Sequence, residues 1–179
     1  ILDARILMQQ PIVISGAGIL GCYISCALSL QGIDSIVLEK KDEEVEDSIR
    51  TITLNPFSKN LLDKIGIEND YSMINKMEVK DFDGTGKIVF KSSEIGMDHL
   101  AYVSDFATLL MAVRKKASEK ILYKEEIIDI DKKGDLNEVT LSSGKVIKTN
   151  LIISSDGKNS KLANKIPKSD KDYFQTALT

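Results

Sequence analysis

The sequence predicts an α/β fold in which a parallel sheet begins with a βαβ unit and a β-meander is added to it. A glycine-rich turn separates an apolar strand-type run from an apolar helix-type run, and a second buried strand follows. Such a unit requires a parallel pair of strands joined by a right-handed crossover. Three short strand-type runs, separated by turns that contain glycine, then occupy residues 127–148 and predict the meander.

Composition limits the class of protein. The 179 residues include 24 Lys+Arg and 27 Asp+Glu, a net charge of −3, so no nucleic-acid partner is expected. With 42% hydrophobic and 28% charged residues the chain is globular, and we expect one domain at 11–179 after an extension at 1–10 that is not native. No apolar run reaches ~18 residues, so no transmembrane segment is expected. Two cysteines indicate a reducing compartment.

The first half of the chain is predicted from local patterns. Residues 11–14 form a buried strand, residues 19–30 an apolar helix that ends at Gly32, and residues 35–38 a second buried strand. The highly charged residues 40–50 are predicted as a solvated loop. Asn55 and Pro56 provide a cap and a first-turn proline for a helix that runs to Gly66.

The second half repeats these signals. Ser104 is predicted to cap a helix, because apolar residues recur at helical spacing from Phe106 to Val113. The predicted strands are residues 77–82 and 87–90, which form a hairpin, residues 127–130, 138–141 and 145–148, which form the meander, and residues 151–153, which are buried.

The turn after the first strand fits the pattern G-x-G-x-x-G. Gly16 permits a tight turn, Gly18 lets the backbone approach a pyrophosphate, and Gly21 lets the helix pack closely. Ala17 and Ile19 lie beside them, where the helix N-terminus offers free N–H groups to phosphates. In this βαβ context the motif predicts a Rossmann-like dinucleotide site; the alternative is a merely structural turn.

Glu39 ends the second strand, near the spacing at which an acidic residue accepts hydrogen bonds from ribose hydroxyls. Lys40 follows it and is included in the predicted site. The alternative is a surface carboxylate beside Lys40 and Lys41. A glutamate here would repel a 2′-phosphate, so the residues favour FAD or NAD over NADP.

The other reactive side chains give little indication of function. Cys22 and Cys26 lie four apart on an apolar helix, without the spacing and basic surroundings of a redox pair, so buried packing is predicted. His99 is the single histidine and is interpreted as a loop residue rather than a metal ligand or a catalyst. No catalytic nucleophile, general base or metal site is predicted.

From residue 11 onward the chain resembles the flavin-dependent aromatic hydroxylases, single-component FAD monooxygenases. It is most similar to the branch of ubiquinone biosynthesis that acts on polyprenylated phenols. The matching motifs are Asp156-Gly157 with Ser160 after a buried strand, the arginine segment at residues 50–54, residues 101–104 before a helix, and residues 173–175.

The resemblance implies a cofactor and a reaction. NAD(P)H would reduce FAD, and the reduced flavin with O₂ would hydroxylate a small phenolic substrate. Ile127 would offer backbone groups to the adenine, and Asp156 and Gly157 would lie near the pyrophosphate. Arg50 would lie near the pyrophosphate or the flavin; the alternative is a loop arginine paired with Glu46 or Asp47.

The resemblance also implies a longer protein. The family's third motif, a Gly-Asp pair, is expected beyond Thr179, and the substrate domain with it. We therefore expect the 179-residue chain to lack hydroxylase activity, to bind FAD poorly, and to cover its bare apolar surface by forming a homodimer or another contact. A cytoplasmic location is expected, with attachment to the inner membrane face or to a biosynthetic complex left open. Two alternatives remain: a NAD-dependent reductase domain, and a fragment without activity of its own.

Overall fold

A computed structural model describes residues 10–45, 49–157, 160 and 162 of the chain. The chain opens with strand β1 (Ile12–Ser15), helix α1 (Ile19–Leu30) and strand β2 (Ser35–Glu39). β1 is buried along its whole length and pairs with β2 in parallel, with Val13 opposite Ile36. The predicted βαβ unit is confirmed, and α1 has the predicted limits.

A four-stranded parallel sheet forms the centre of the fold. Two further strands complete it, β8 (Ile121–Tyr123) and β12 (Ile152–Ser154), in the order β12-β1-β2-β8. β12 pairs with β1 and β8 pairs with β2, both in parallel. β12 was predicted and is confirmed, whereas β8 is a three-residue strand that no local pattern indicated.

Two further helices pack beside the sheet. Helix α2 (Pro56–Lys64) begins as predicted, because the Asn55 side chain accepts a hydrogen bond from the Ser58 backbone N–H at 2.7 Å. Helix α3 (Phe106–Ala117) is capped by Asp105, whose carboxylate accepts from the Thr108 N–H at 2.7 Å. The prediction of Ser104 as the cap was wrong: Ser104 still belongs to the preceding strand, and its hydroxyl accepts from Asn69.

The remaining strands form antiparallel sheets. The predicted meander and hairpin are confirmed, but three short strands were missed because they are defined by pairing to distant segments. Residues 51–54 had been interpreted only as an arginine segment. The meander is β9 (Ile127–Lys133), β10 (Leu136–Leu141) and β11 (Val146–Thr149); the hairpin is β5 (Lys76–Lys80) and β6 (Lys87–Lys91); the missed sheet is β3 (Thr51–Leu54), β7 (Ala101–Asp105) and β4 (Ser72–Ile74).

The side chains of β1 alternate between two hydrophobic clusters, as a strand buried on both faces requires. Ile12 and Ile14 pack on the side of the helices, with Val113 of α3. Val13 packs on the opposite side, with Val139 of the meander. The sheet is therefore the middle of three layers, which confirms the predicted fold class.

Some predictions fall outside the described residues. Residues 1–9 of the expected extension are among them, together with the family motif at 173–175. Among the helices that the structure does describe, none is long and apolar enough to cross a membrane.

Candidate functional site

A cavity of about 280 Å³ lies at the carboxyl ends of β1, β2 and β12. This is the edge of a parallel sheet where ligands bind in open α/β folds. Most residues singled out from the sequence line it, although they come from four separate segments. The predicted residues in the lining are Gly16, Gly18, Glu39, Lys40, Ile127, Asp156 and Gly157, joined by Ser15, Leu38, Glu125, Glu126, Ser155 and Leu162.

Two glycines of the G-x-G-x-x-G motif are required by the fold itself. Gly16 has a φ of +100°, and a Cβ there would lie 2.7 Å from the carbonyl oxygen of Ser155. Gly21 lies on α1, where a Cβ would lie 2.0 Å from the Gly16 carbonyl oxygen. A tight turn and close packing against the helix account for these glycines without any ligand.

Gly18 differs from both. Its φ of −74° and ψ of 178° are open to any residue, and a Cβ there would have no neighbour within 4 Å. Gly18 is the N-cap of α1 without a side-chain cap, so the first N–H groups of the helix are left as donors at its end. Neighbouring Ala17 is buried, and Ile19 is the first residue of α1 and is half-buried. Neither conformation nor packing requires a glycine at position 18.

The Asp156-Gly157 turn is joined to the glycine loop by hydrogen bonding from the residue that precedes it. The Ser155 hydroxyl lies 2.9 Å from the Ser15 carbonyl oxygen and 3.0 Å from that of Gly16, so its single hydrogen can be shared between the two acceptors. The Ser154 hydroxyl donates to Asp156 at 2.7 Å, and the turn continues through Gly157 with φ +80°. The two sequence motifs therefore form one structural unit. Sequence reasoning missed Ser155, although it directly precedes the Asp-Gly pair.

Ser160, the serine of the same motif, is also part of this unit. It is buried, and its hydroxyl lies 2.8 Å from that of Ser154. Its backbone N–H donates to the Gly157 carbonyl at 3.1 Å. Ser160 thus supports the turn from behind, while Asp156 and Gly157 line the cavity.

Glu39 stands at the end of β2 and is fixed from two sides. Its Oε2 accepts from the Ala17 N–H at 3.1 Å, and its Oε1 accepts from the Lys41 N–H at 3.0 Å. Arg114 of α3 lies 3.4 Å from Oε2. Glu39 is therefore no surface carboxylate, since only 12% of its side chain is exposed.

Arg114 was missed from the sequence. Besides the contact with Glu39, it donates from Nε to the Ala17 carbonyl at 2.9 Å and from Nη1 to the Glu43 carbonyl at 3.2 Å. Its guanidinium also lies over the Tyr123 ring, 5.7 Å from the centroid. No local motif marks it: it is one of three basic residues in the last turn of its helix.

Glu125 and Glu126 precede Ile127 in the connection between β8 and β9, and neither was predicted to line the site. Glu125 accepts hydrogen bonds from the Ser142 hydroxyl at 2.9 Å and the Ser143 N–H at 3.2 Å. Hydrogen bonds from Ser143 and Ser142 lower the pKa of Glu125. Together with Glu39 these carboxylates make this end of the cavity acidic, which disfavours a phosphate group there.

Arg50 is a predicted site residue that lies apart from this arrangement. It does not line the cavity; its guanidinium stacks over the Phe106 ring, 4.3 Å from the centroid. Its backbone carbonyl accepts the Phe106 N–H at 3.0 Å. The alternative partners considered for it, Glu46 and Asp47, lie outside the described residues.

The cysteines and the histidine have the surroundings expected of them. Cys22 and Cys26 are buried and unbridged, and burial raises the pKa of Cys22 to about 12. A thiol of that kind is not a nucleophile at neutral pH. His99 lies in a loop, where one ring nitrogen is 2.6 Å from the Asn75 side-chain oxygen. Within the described residues, no group of three or more His, Cys, Asp or Glu side chains could hold a metal ion.

Two curated proteins similar to this chain are a monooxygenase and a hydroxylase. The mitochondrial ubiquinone biosynthesis monooxygenase COQ6 of Danio rerio is 26% identical, over 93% of this chain and 40% of its own length. The 3-demethoxyubiquinol 3-hydroxylase of Escherichia coli K12 is 26% identical, over 87% of this chain and 44% of its own length. The chain thus spans less than half of either relative.

Solved structures share the fold. PqsL of P. aeruginosa superposes with a TM-score of 0.76 at 20% identity, over 92% of this chain and 48% of that one. The p-nitrophenol 4-monooxygenase PnpA of Pseudomonas putida gives 0.71 at 17% identity, over 87% and 43%. A family model described as the FAD binding domain matches residues 9–176. This match covers nearly the whole chain and confirms the predicted resemblance: the protein belongs to the FAD binding domain family.

Proposed function

We propose that this chain is the part of a flavin-dependent monooxygenase that binds the ADP half of FAD in the 280 Å³ cavity. The observation that carries the proposal is Gly18. Conformation and packing do not require a glycine there, yet the position opens onto the cavity at the N-terminus of α1. The absence of a side chain is useful only if something approaches the backbone, and a pyrophosphate is the group that a helix N-terminus attracts.

The residues of the site suit such a ligand. Gly16, Gly18 and the first turn of α1 would hold the pyrophosphate, with the Asp156-Gly157 turn on its other side. Glu39 would accept hydrogen bonds from the ribose hydroxyls. Ile127 would present its backbone to the adenine at the acidic end of the cavity. Arg50 remains proposed for the flavin side, which fits its position outside the cavity.

FAD would supply the redox chemistry, and the described residues would supply binding and orientation. We propose NAD(P)H as the reductant and O₂ as the second substrate. The names of the two curated relatives support a polyprenylated phenol of ubiquinone biosynthesis as the substrate. We propose a cytoplasmic protein, attached at the inner membrane face or to a complex where that phenol is made.

The test compares two glycines that both have room for a methyl group, one facing the cavity and one away from it. Gly18→Ala places a methyl group in the cavity, whereas Gly86→Ala places one in a hairpin turn, 3.7 Å from the nearest atom. Binding of ADP, FAD and NAD is measured by calorimetry. We expect Gly18→Ala to weaken the binding of ADP and of FAD by about tenfold or more. Gly86→Ala should leave both affinities unchanged.

Two results would contradict the proposal. One is a Gly18→Ala variant that binds ADP and FAD as tightly as the parent. The other is a parent protein that binds NAD more tightly than ADP, which would show recognition of the nicotinamide half and favour the reductase alternative. ADP is included because its binding groups all lie in the described part of the chain, whereas the flavin ring would need further partners.

A further inference from the structure

Arg114 connects three segments that form the wall of the cavity. It is a residue of α3 and contacts both Glu39 and the glycine loop. Its Nε donates to the Ala17 carbonyl, its Nη1 to the Glu43 carbonyl, and its Nη2 lies 3.4 Å from Glu39 Oε2. Each nitrogen of the guanidinium therefore serves a different segment: the glycine loop, the connection after β2, and the end of β2.

The contacts close a ring around the Glu39 carboxylate. Ala17 donates its N–H to Glu39 Oε2 and accepts from Arg114, while Arg114 also reaches the same Oε2. Oε2 is thus held by two donors. Oε1 accepts from the Lys41 N–H, and a carboxylate oxygen can accept about two hydrogen bonds, so Oε1 has room for a ligand hydroxyl.

This ring is more than a surface ion pair. The side chains of Arg114 and Glu39 are only 11% and 12% exposed, so both charges have given up most of their water. A buried pair of this kind is not in itself a strong source of stability, because desolvation offsets much of the attraction. What it provides here is geometry: the planar guanidinium fixes the carboxylate relative to the glycine loop.

We propose that Arg114 is the positioning residue of the ribose subsite, which holds Glu39 so that the free acceptor position of its carboxylate meets a hydroxyl of the adenosine ribose. The inference rests on the proposed function, since it takes the cavity to be the ADP site. Arg114 acts through Glu39 and does not itself contact the ribose. Without it, Glu39 keeps its backbone contacts but loses the donor that fixes the plane of its carboxylate.

The test measures how strongly the ribose hydroxyls are recognised. ADP and 2′,3′-dideoxy-ADP are titrated by calorimetry into the parent protein, Arg114→Met, Arg114→Lys and Lys115→Met. Lys115 is an exposed neighbour on the same helix, so its variant makes the same change of charge without touching the ring. Thermal unfolding of each protein without ligand gives the purely structural effect of each change.

We expect the parent protein and Lys115→Met to bind ADP about tenfold or more tightly than its dideoxy analogue, since hydrogen bonds to a charged group are lost. In Arg114→Met this ratio should fall to about twofold or less, through weaker binding of ADP. Arg114→Lys should behave in the same way, because the three donors of an ammonium group leave a single nitrogen and cannot reproduce the wider planar spacing of the guanidinium. If Arg114→Met does not fold, Arg114→Lys carries the same test.

The outcomes separate the two proposals. A parent protein that does not bind ADP overturns the proposed function and this inference with it. A parent that binds ADP and discriminates, together with Arg114 variants that discriminate as strongly, overturns this inference alone. A lower melting temperature with an unchanged ratio of the affinities for ADP and its dideoxy analogue would show that Arg114 serves only the fold. A general loss of structure would weaken the binding of both nucleotides alike.

Discussion

Replacing Gly21 with alanine tests how closely helix α1 is packed against the glycine loop. The added Cβ would lie 2.0 Å from the Gly16 carbonyl oxygen and 2.6 Å from the Ser155 hydroxyl, whereas real Cβ atoms essentially never come within 3.0 Å of such atoms. The first of these neighbours is backbone and cannot rotate away. Either α1 or the loop must therefore move by about 1 Å.

One favourable and two unfavourable contributions set the magnitude. Alanine in a helix is favoured over glycine by ~1 kcal/mol. Overpacking costs ~1–3 kcal/mol, with the upper end expected where backbone must move. The displacement also strains the hydrogen bond that the Ser155 hydroxyl shares between the Ser15 and Gly16 carbonyls, worth ~0.5–1.5 kcal/mol. We therefore expect a net loss of about 2 kcal/mol in the free energy of unfolding.

Urea unfolding followed by circular dichroism measures this loss, with an unchanged m-value as the condition for comparing variants. Gly18→Ala is the matched control, because its Cβ has no neighbour within 4 Å. As an N-cap substitution it should change the free energy of unfolding by less than ~1 kcal/mol. If Gly21→Ala proved as stable as the parent, our account of the packing between α1 and the loop would be wrong.

Three further predictions concern single side chains. Glu39→Ala should weaken ADP by ~1.5–3 kcal/mol in calorimetry, the range for hydrogen bonds to a charged group; unchanged affinity would remove Glu39 from the ribose subsite. Burial raises the pKa of Cys22 from 9.0 to about 12, so the unfolded state loses this proton first and stability falls above about pH 9. The free energy of unfolding should fall by up to ~1.4 kcal/mol per pH unit in the parent protein. It should fall less steeply in Cys22→Ala, and equal slopes in the two proteins would contradict the burial of the thiol. Hydrogen bonds from Thr108 lower the pKa of Asp105, so the stability that its carboxylate contributes is lost as the pH falls and the group is protonated. The melting temperature of Asp105→Asn should therefore fall less on acidification than that of the parent protein.

The parts of the fold that the sequence predicts well are those defined by local patterns. The βαβ unit, α2 and the meander combine regular apolar spacing with glycine, proline or capping residues at their ends. The cap of α3 shows the limit of such reasoning. Ser104 and Asp105 are both good caps, and β7 decides between them: its pairing with β3 extends through Asp105 opposite Thr51, so the helix begins one residue later.

The same division holds for the site. Gly16, Gly18, Glu39 and Asp156 belong to short motifs, and the fold brings them to one cavity. Arg114 could not be found in this way. Its partners Ala17 and Glu39 lie 97 and 75 positions away, and a basic residue at a helix C-terminus is common for reasons unrelated to any ligand.

The bond between Ser155 and Ser15 spans 140 positions of the chain, so the cavity depends on one of the most remote contacts in the molecule. Closing so long a loop costs conformational entropy that is recovered only when β12 docks beside β1, and such contacts are expected late in folding. A partly folded chain with α1 and β2 already in place would still have no pyrophosphate site. A nucleotide would therefore select the chain that has completed this last pairing, and its binding energy would oppose the departure of β12.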